Sequence, residues 1–188
     1  MKNIAVFASG FGSNFQALID AVETGKLQAN IALLVSDKPN CKAVERANAH
    51  GIDAFAFSSK DYENKEAYET AILQELQKRA VDYIVLAGYM RFIGKVLLSH
   101  FPNRIINLHP ALLPSFPGAH GIEDAYRYGV KVFGITIHFV DEGVDTGPII
   151  DQFSFHTDGH ESLDEIETHI HQLEHAHYPE VIHRVLNT

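Results

Sequence analysis

The sequence predicts an α/β protein: a mostly parallel sheet with helices on both faces, followed by an antiparallel hairpin and a long helix. Three observations predict it. Short β-rich apolar runs alternate with amphipathic stretches over residues 3–108. The first run passes through a Gly-rich turn into a helical pattern. The last third changes character, with two partly alternating runs around an acidic turn and then a helical segment rich in histidine.

Residues 3–8 (N-I-A-V-F-A) have the continuous apolar character of a strand buried on both faces. S-G-F-G-S-N (9–14) follows, then helical spacing over 15–22. Strand, Gly-rich turn and helix place free N–H groups and the positive end of a dipole around an anion. Ser13 and Asn14 have side chains suited to capping that helix. A dinucleotide fingerprint fails at its third glycine, where Phe15 stands, and a P-loop fails for want of G-K-[ST]. A site for a single phosphate group survives, beside a tight turn with no ligand at all.

Strands are then predicted over 31–37 and 53–57, with a helix over 41–50 between them, ended by Gly51. Residues 65–79 form a helix with Tyr68, Ile72, Leu73 and Leu76 on one face. Lys65 opens it, and a cation gains nothing from the dipole there; a nearby anion or simple solvent exposure would each explain it. A fourth strand over 82–93 runs into a loop, and a fifth covers 104–108. Such alternation implies right-handed crossovers and a Rossmann-like sheet, whose ligands bind beyond the carboxyl ends of the strands.

At the end of the fifth strand stands N-L-H-P-A-L-L-P-S-F-P-G (107–118). Asn107 and His109 are two positions apart, so on an extended chain both side chains face one space. Pro110 biases His109 to an extended conformation, and Pro114 and Pro117 stiffen the rest of the loop. An amide donor and a proton carrier aimed together suit acyl-type chemistry; a proline-rich turn with incidental polar residues fits as well. The convergence of four strand ends favours the catalytic reading.

A short helix follows Gly121, and 131–140 with 149–157 reads as a hairpin whose connection holds Asp141, Glu142 and Asp145. Asp141 and Glu142 fit a solvated turn. Asp145, between Gly143 and Gly147, can turn inward toward an imidazole, whose proton it would hold. Residues 162–186 are helical, with Ser162 and Glu165 as a capping box and Pro179 kinking or splitting the helix. H-Q-L-E-H (171–175) matches one zinc-peptidase spacing, but a further ligand would have to come from the few residues after it, and no metal site is predicted.

Length and composition fit one globular domain. A formal charge of −9 argues against a nucleic-acid surface, so any anionic ligand is held by backbone amides and a few cations. No apolar run reaches the length of a membrane span, and the N-terminal one is too short for a signal peptide. Cys41 is the lone cysteine, which fits a reducing cytoplasm.

Taken together, S-G-F-G-S-N, K-E-A-Y (65–68), L-A-G-Y-M-R-F-I (86–93), the 107–118 stretch, H-F-V-D-E-G-V-D-T-G-P-I-I (138–150) and E-H-A-H-Y-P (174–179) resemble the glycinamide ribonucleotide formyltransferases. These are folate-dependent enzymes of purine biosynthesis. The resemblance covers essentially the whole chain, and implies a phosphate-binding half (1–100) and a folate-binding, catalytic half (101–188). It implies that Gly12, Ser13 and Asn14 hold the substrate phosphate and Glu174 the ribose hydroxyls. Lys65, Met90, Arg91, Phe92, Ile93, Asn107, Val140, Asp141, Glu142, Gly143, Val144 and Asp145 would meet the folate. Lys65 stands where the family often has arginine, keeping the charge without the bidentate fork. Asn107, His109 and Asp145 would be catalytic, with His138 as a neighbour.

The implied co-substrate is 10-formyltetrahydrofolate, with no metal, nucleic-acid or membrane partner, in a cytoplasmic monomer or homodimer. Two related enzymes share the core motif. Methionyl-tRNA formyltransferases usually add an RNA-contacting domain, and formyltetrahydrofolate hydrolases a regulatory one; neither is expected here. A non-catalytic sugar-phosphate sensor would have no use for the catalytic trio.

Overall fold

The computed structural model describes all 188 residues. Seven strands make one sheet: β1 (Lys2–Phe7), β2 (Ala29–Ser36), β3 (Ala54–Ala56), β4 (Tyr83–Leu86), β5 (Ile105–His109), β6 (Val132–Phe139) and β7 (Ile149–His156). Their order is β3-β2-β1-β4-β5-β6-β7. The first five are parallel, and β6 and β7 are antiparallel to their neighbours. The predicted fold class is the observed one.

The helices are α1 (Ser13–Glu23), α2 (Lys42–Ala49), α3 (Lys65–Lys78), α4 (Lys95–His100), α5 (Gly121–Tyr128) and α6 (Leu163–Leu186). Alternation along β1 divides the core. Ile4, Val6 and Ala8 pack with Leu18 of α1, Ala47 of α2 and Tyr178, Val181 and Ile182 of α6. Ala5 and Phe7 face the other way, onto Tyr68, Ile72 and Leu76 of α3 and Leu97 of α4. Each such buried aliphatic side chain contributes roughly 1.5–3 kcal/mol, so tertiary packing rather than helix propensity holds these helices in place. A smaller cluster joins α5, β6 and α6 through Ile122, Ile135, Ile166 and Ile170.

Three local readings change. Helix α1 is capped by Gly12 in the left-handed region, with Ser13 and Asn14 inside its first turn and no side-chain cap. Helix α6 is not split at Pro179, which lies buried within its 24 residues. One missing hydrogen bond is outweighed by the apolar face that α6 lays on the sheet. Helix α4 is an addition to the predicted elements: its six residues are too few to show a period. Its start is held by Glu69 of α3, whose Oε2 accepts from Gly94 N at 2.7 Å. The capping of α6 by Ser162, which accepts from Glu165 N at 3.1 Å, is as expected.

Strands β4 and β5 pair only at Ile84–Ile105 and Val85–Ile106 before separating. The Tyr178 hydroxyl fills the fork, within 2.7 Å of Leu86 O and 3.3 Å of Ile106 O. Beyond that fork the sheet opens into a cleft at the carboxyl ends of the strands.

Candidate active site

The loop after β1 is shaped by Gly12. Its φ is +76°, and a Cβ there would stand 3.0 Å from Ala43 Cβ, so both backbone angle and packing require glycine. Gln16 N donates to Gly12 O at 2.9 Å, closing the first turn of α1. The N–H groups at the start of that turn have no intrahelical acceptor and line the cleft. Asn14 Nδ2 donates to Glu174 Oε2 at 2.6 Å, although 160 positions separate them. Asn14 Oδ1 is buried without any partner. Glu174 Oε1 lies 3.2 Å from His171 Nδ1 and pushes the His171 pKa up. Gly12, Ser13, Asn14 and Glu174 therefore meet, as expected, with His171 as an addition that its place in a histidine-rich helix disguises as surface.

A second cluster forms where β5 pairs with β6, with Asn107 opposite His138. Asn107 Nδ2 is 3.4 Å from His138 Nε2, and His138 Nδ1 is 2.8 Å from Phe139 O. His109 Nε2 is 2.7 Å from the carbonyl of Phe116. A carbonyl only accepts, so Nε2 carries the proton and Nδ1 is the nitrogen turned to the rest of the cluster. That nitrogen lies 3.5 Å from Asp145 Oδ2, and Asp145 Oδ1 lies 3.7 Å from His138 Nε2. Gly118 N donates to Asp145 Oδ2 at 2.8 Å. The residues 116–118 thus hold both partners, one with an acceptor and one with a donor.

Asp145 itself has φ +54°. Such a conformation is uncommon outside glycine, and it turns the carboxylate inward. Gly147 lets it do so, because a Cβ there would stand 1.8 Å from Phe139 O. The His138 ring first, then the Gly118 amide and the charge of His109, hold the Asp145 carboxyl below its ordinary value against a burial that opposes them.

Across the cleft, Arg91 is fixed rather than free. Its Nε donates to Asp37 Oδ2 at 2.9 Å and one terminal nitrogen to Ser59 Oγ at 2.9 Å. The other Asp37 oxygen accepts from Ser9 Oγ at 2.5 Å, and Ser9 Oγ accepts in turn from Met90 N at 2.9 Å. Neither Ser9 nor Asp37 stands out in the sequence as a site residue. Their signal is only their place just past the ends of β1 and β2. Met90 and Phe92 are 71% and 67% exposed at the cleft mouth, while Ile93 is buried behind them. Lys65, the first residue of α3, also lines the cleft.

Residues 140–146 form the facing wall. Asp141 lies in a solvated turn, as expected, and braces it: its Oδ1 accepts from Gly143 N at 3.0 Å and Thr146 Oγ1 at 2.6 Å. These bonds, Thr146 first, lower its pKa and tie the loop to itself. The cleft encloses about 770 Å³ and is lined by all the residues singled out as candidates. No three His, Cys, Asp or Glu side chains anywhere converge as a metal site would require, the 171–175 pattern included.

An α/β sheet with an anion-ready helix start at one strand end and an Asn–His–Asp cluster at another fits an enzyme that brings an anionic substrate to acid–base groups. Its particular kind comes from comparison with known proteins. The formyl transferase model matches residues 2–182, and the chain belongs to that family. It is 53% identical over 186 residues to a phosphoribosylglycinamide formyltransferase of Bacillus subtilis, covering 99% of this chain and 95% of that one. An enzyme of the same name from Escherichia coli is 37% identical over 180 residues, 96% of this chain and 85% of that one. The crystal structure of glycinamide ribonucleotide transformylase 1 from Geobacillus kaustophilus superimposes with a TM-score of 0.97 at 52% identity, over 99% of each chain. The resemblance read from the motifs is thereby borne out.

Proposed function

We propose that the chain transfers the formyl group of 10-formyltetrahydrofolate to the amine of glycinamide ribonucleotide, a step of purine biosynthesis. The observation that carries this reading is one cleft holding both clusters, the anion-ready start of α1 and the Asn107–His109–Asp145 set. The relatives' names supply the ribonucleotide and the formyl group, and the motif resemblance implies the folate donor. Asn14 Oδ1 and the Glu174 carboxylate offer acceptors to ribose hydroxyls, and the start of α1 offers N–H groups to the phosphate. Residues 90–93 and 140–145 make two walls for the folate.

The amine nitrogen attacks the formyl carbon, forming a C–N bond while the carbonyl pair moves onto oxygen. Asn107 Nδ2 donates to that oxyanion. Its partner, His138 Nε2, is at 3.4 Å, long enough to be exchanged for an oxyanion. Of the two His109 nitrogens, Nδ1 serves the reaction, because Phe116 O occupies the other. Asp145 stays ionised at neutral pH, with its Oδ2 3.5 Å from Nδ1. The proton lost by the amine passes through this pair to N10 of the folate, the C–N10 bond breaks, and the carbonyl re-forms.

The test is absorbance-monitored turnover of a 10-formyl folate with and without the ribonucleotide, for wild type and His109→Ala. Turnover that requires the ribonucleotide and falls at least about 100-fold in the variant is expected. Folate consumption without the ribonucleotide would mean a hydrolase instead. No turnover at all would mean a binding protein.

A further inference from the structure

In a chain of net charge −9, the phosphate loop is bonded by a single cation, and it comes from outside the cleft. Arg46 stands on α2, which lines no part of the cleft. Its Nε donates to the carbonyl of Phe11 at 2.9 Å, and Nη1 donates to Gln16 Oε1 at 3.0 Å. The guanidinium also lies 4.7 Å from the centroid of the Phe11 ring. That ring is 68% exposed, so it covers the cation without being buried itself. The same helix touches the loop at two further points: Ala43 N donates to Gly10 O at 3.1 Å, and Ala43 backs directly onto Gly12.

A trans peptide is planar, with its C=O and the following N–H pointing opposite ways. Fixing the Phe11 carbonyl on Arg46 therefore turns the Gly12 N–H away from α2. It also keeps a carbonyl oxygen, which would repel a phosphate, out of the anion site. The second arm, on Gln16, anchors the first turn of α1 to the same guanidinium.

We propose that Arg46 is the positioning residue of the phosphate site. It aims the Gly12 N–H and adds a positive charge behind the loop without touching the substrate. The proposal rests on the formyl-transfer reading for the identity of the phosphorylated substrate. It predicts that Arg46→Gln raises KM for glycinamide ribonucleotide about tenfold or more, with kcat and the folate KM within about twofold of wild type. The inhibition constant of inorganic phosphate rises in parallel. Arg46→Lys keeps the charge but not the fork, and recovers only part of the loss.

A loss confined to melting temperature, or an equal loss in kcat and both KM values, would overturn the proposal, since either would mean that Arg46 only supports the fold. An unchanged ribonucleotide KM in Arg46→Gln would overturn it as well. If wild type shows no ribonucleotide-dependent turnover, the formyl-transfer reading fails by itself. Calorimetric binding of ribose 5-phosphate then decides on Arg46 alone: about tenfold weaker binding in Arg46→Gln supports it, and equal binding overturns it.

Discussion

Asp145 is the residue on which the most geometry converges: a left-handed backbone, a Gly118 N–H at 2.8 Å and two imidazoles within 3.7 Å. Asp145→Asn keeps the shape and removes the charge. Expected is a fall in kcat of about 10²–10⁴-fold with both KM values little changed; a near-normal kcat would remove Asp145 from the mechanism. The carboxyl is held below its ordinary value in the folded chain. Its charge therefore contributes stability above the unfolded value of about 4. That contribution fades as pH falls through the lowered folded value. Melting curves of wild type and Asp145→Asn should converge as the pH is lowered through that range, and parallel curves would contradict the assignment.

The trio was legible because each member carries a local sign: an i, i+2 pair before proline, and an aspartate between glycines. The Phe116 carbonyl, which engages Nε2 of His109 and leaves Nδ1 facing the cluster, carries none. Backbone groups look alike in every sequence.

Helix α4 exists through its partner, which is why its own sequence did not reveal it. Glu69 is 2% exposed, and burial pushes its pKa up against the opposing Gly94 N–H and Lys65 charge. A carboxyl with a raised folded value contributes its full stability below its unfolded value and loses it as pH rises through the folded one. Glu69→Gln keeps an acceptor for Gly94 N and removes the titration. Its melting temperature should therefore vary less with pH than wild type above about pH 4.5. Glu69→Ala strands the Gly94 N–H and should cost about 1–3 kcal/mol in denaturant unfolding. The long periodic helices were readable from apolar spacing; a charged residue within such a face looks like an exception until its acceptor role is seen.

At the scale of the whole molecule, the cleft is a consequence of strand order. Strands β4 and β5 diverge after two paired positions, and Tyr178 reaches in from α6 to satisfy the carbonyls left at the fork. Tyr178→Phe keeps the packing and removes the donor. A loss of about 1–3 kcal/mol in stability is expected, with unchanged spectra of secondary structure; no loss would mean that water takes over the role. The α/β alternation and the switch to a hairpin announced this architecture, while the fork itself depends on where pairing stops, which propensity does not encode.

Asp37 ties the loop after β1 to the 90–93 wall of that cleft, one oxygen on Ser9 at the root of the loop and the other on Arg91 beside the exposed Met90 and Phe92. A ligand that orders the 90–93 wall is thereby expected to act on the loop after β1 through one shared carboxylate, so the affinities of the two ligands are expected to depend on each other. If binding one tightens the other, thermodynamic reciprocity requires the same factor in both directions. Dissociation constants for each ligand, alone and beside the other, give that factor twice over. In Asp37→Asn it should shrink toward one, and the cleft would bind its two occupants as strangers.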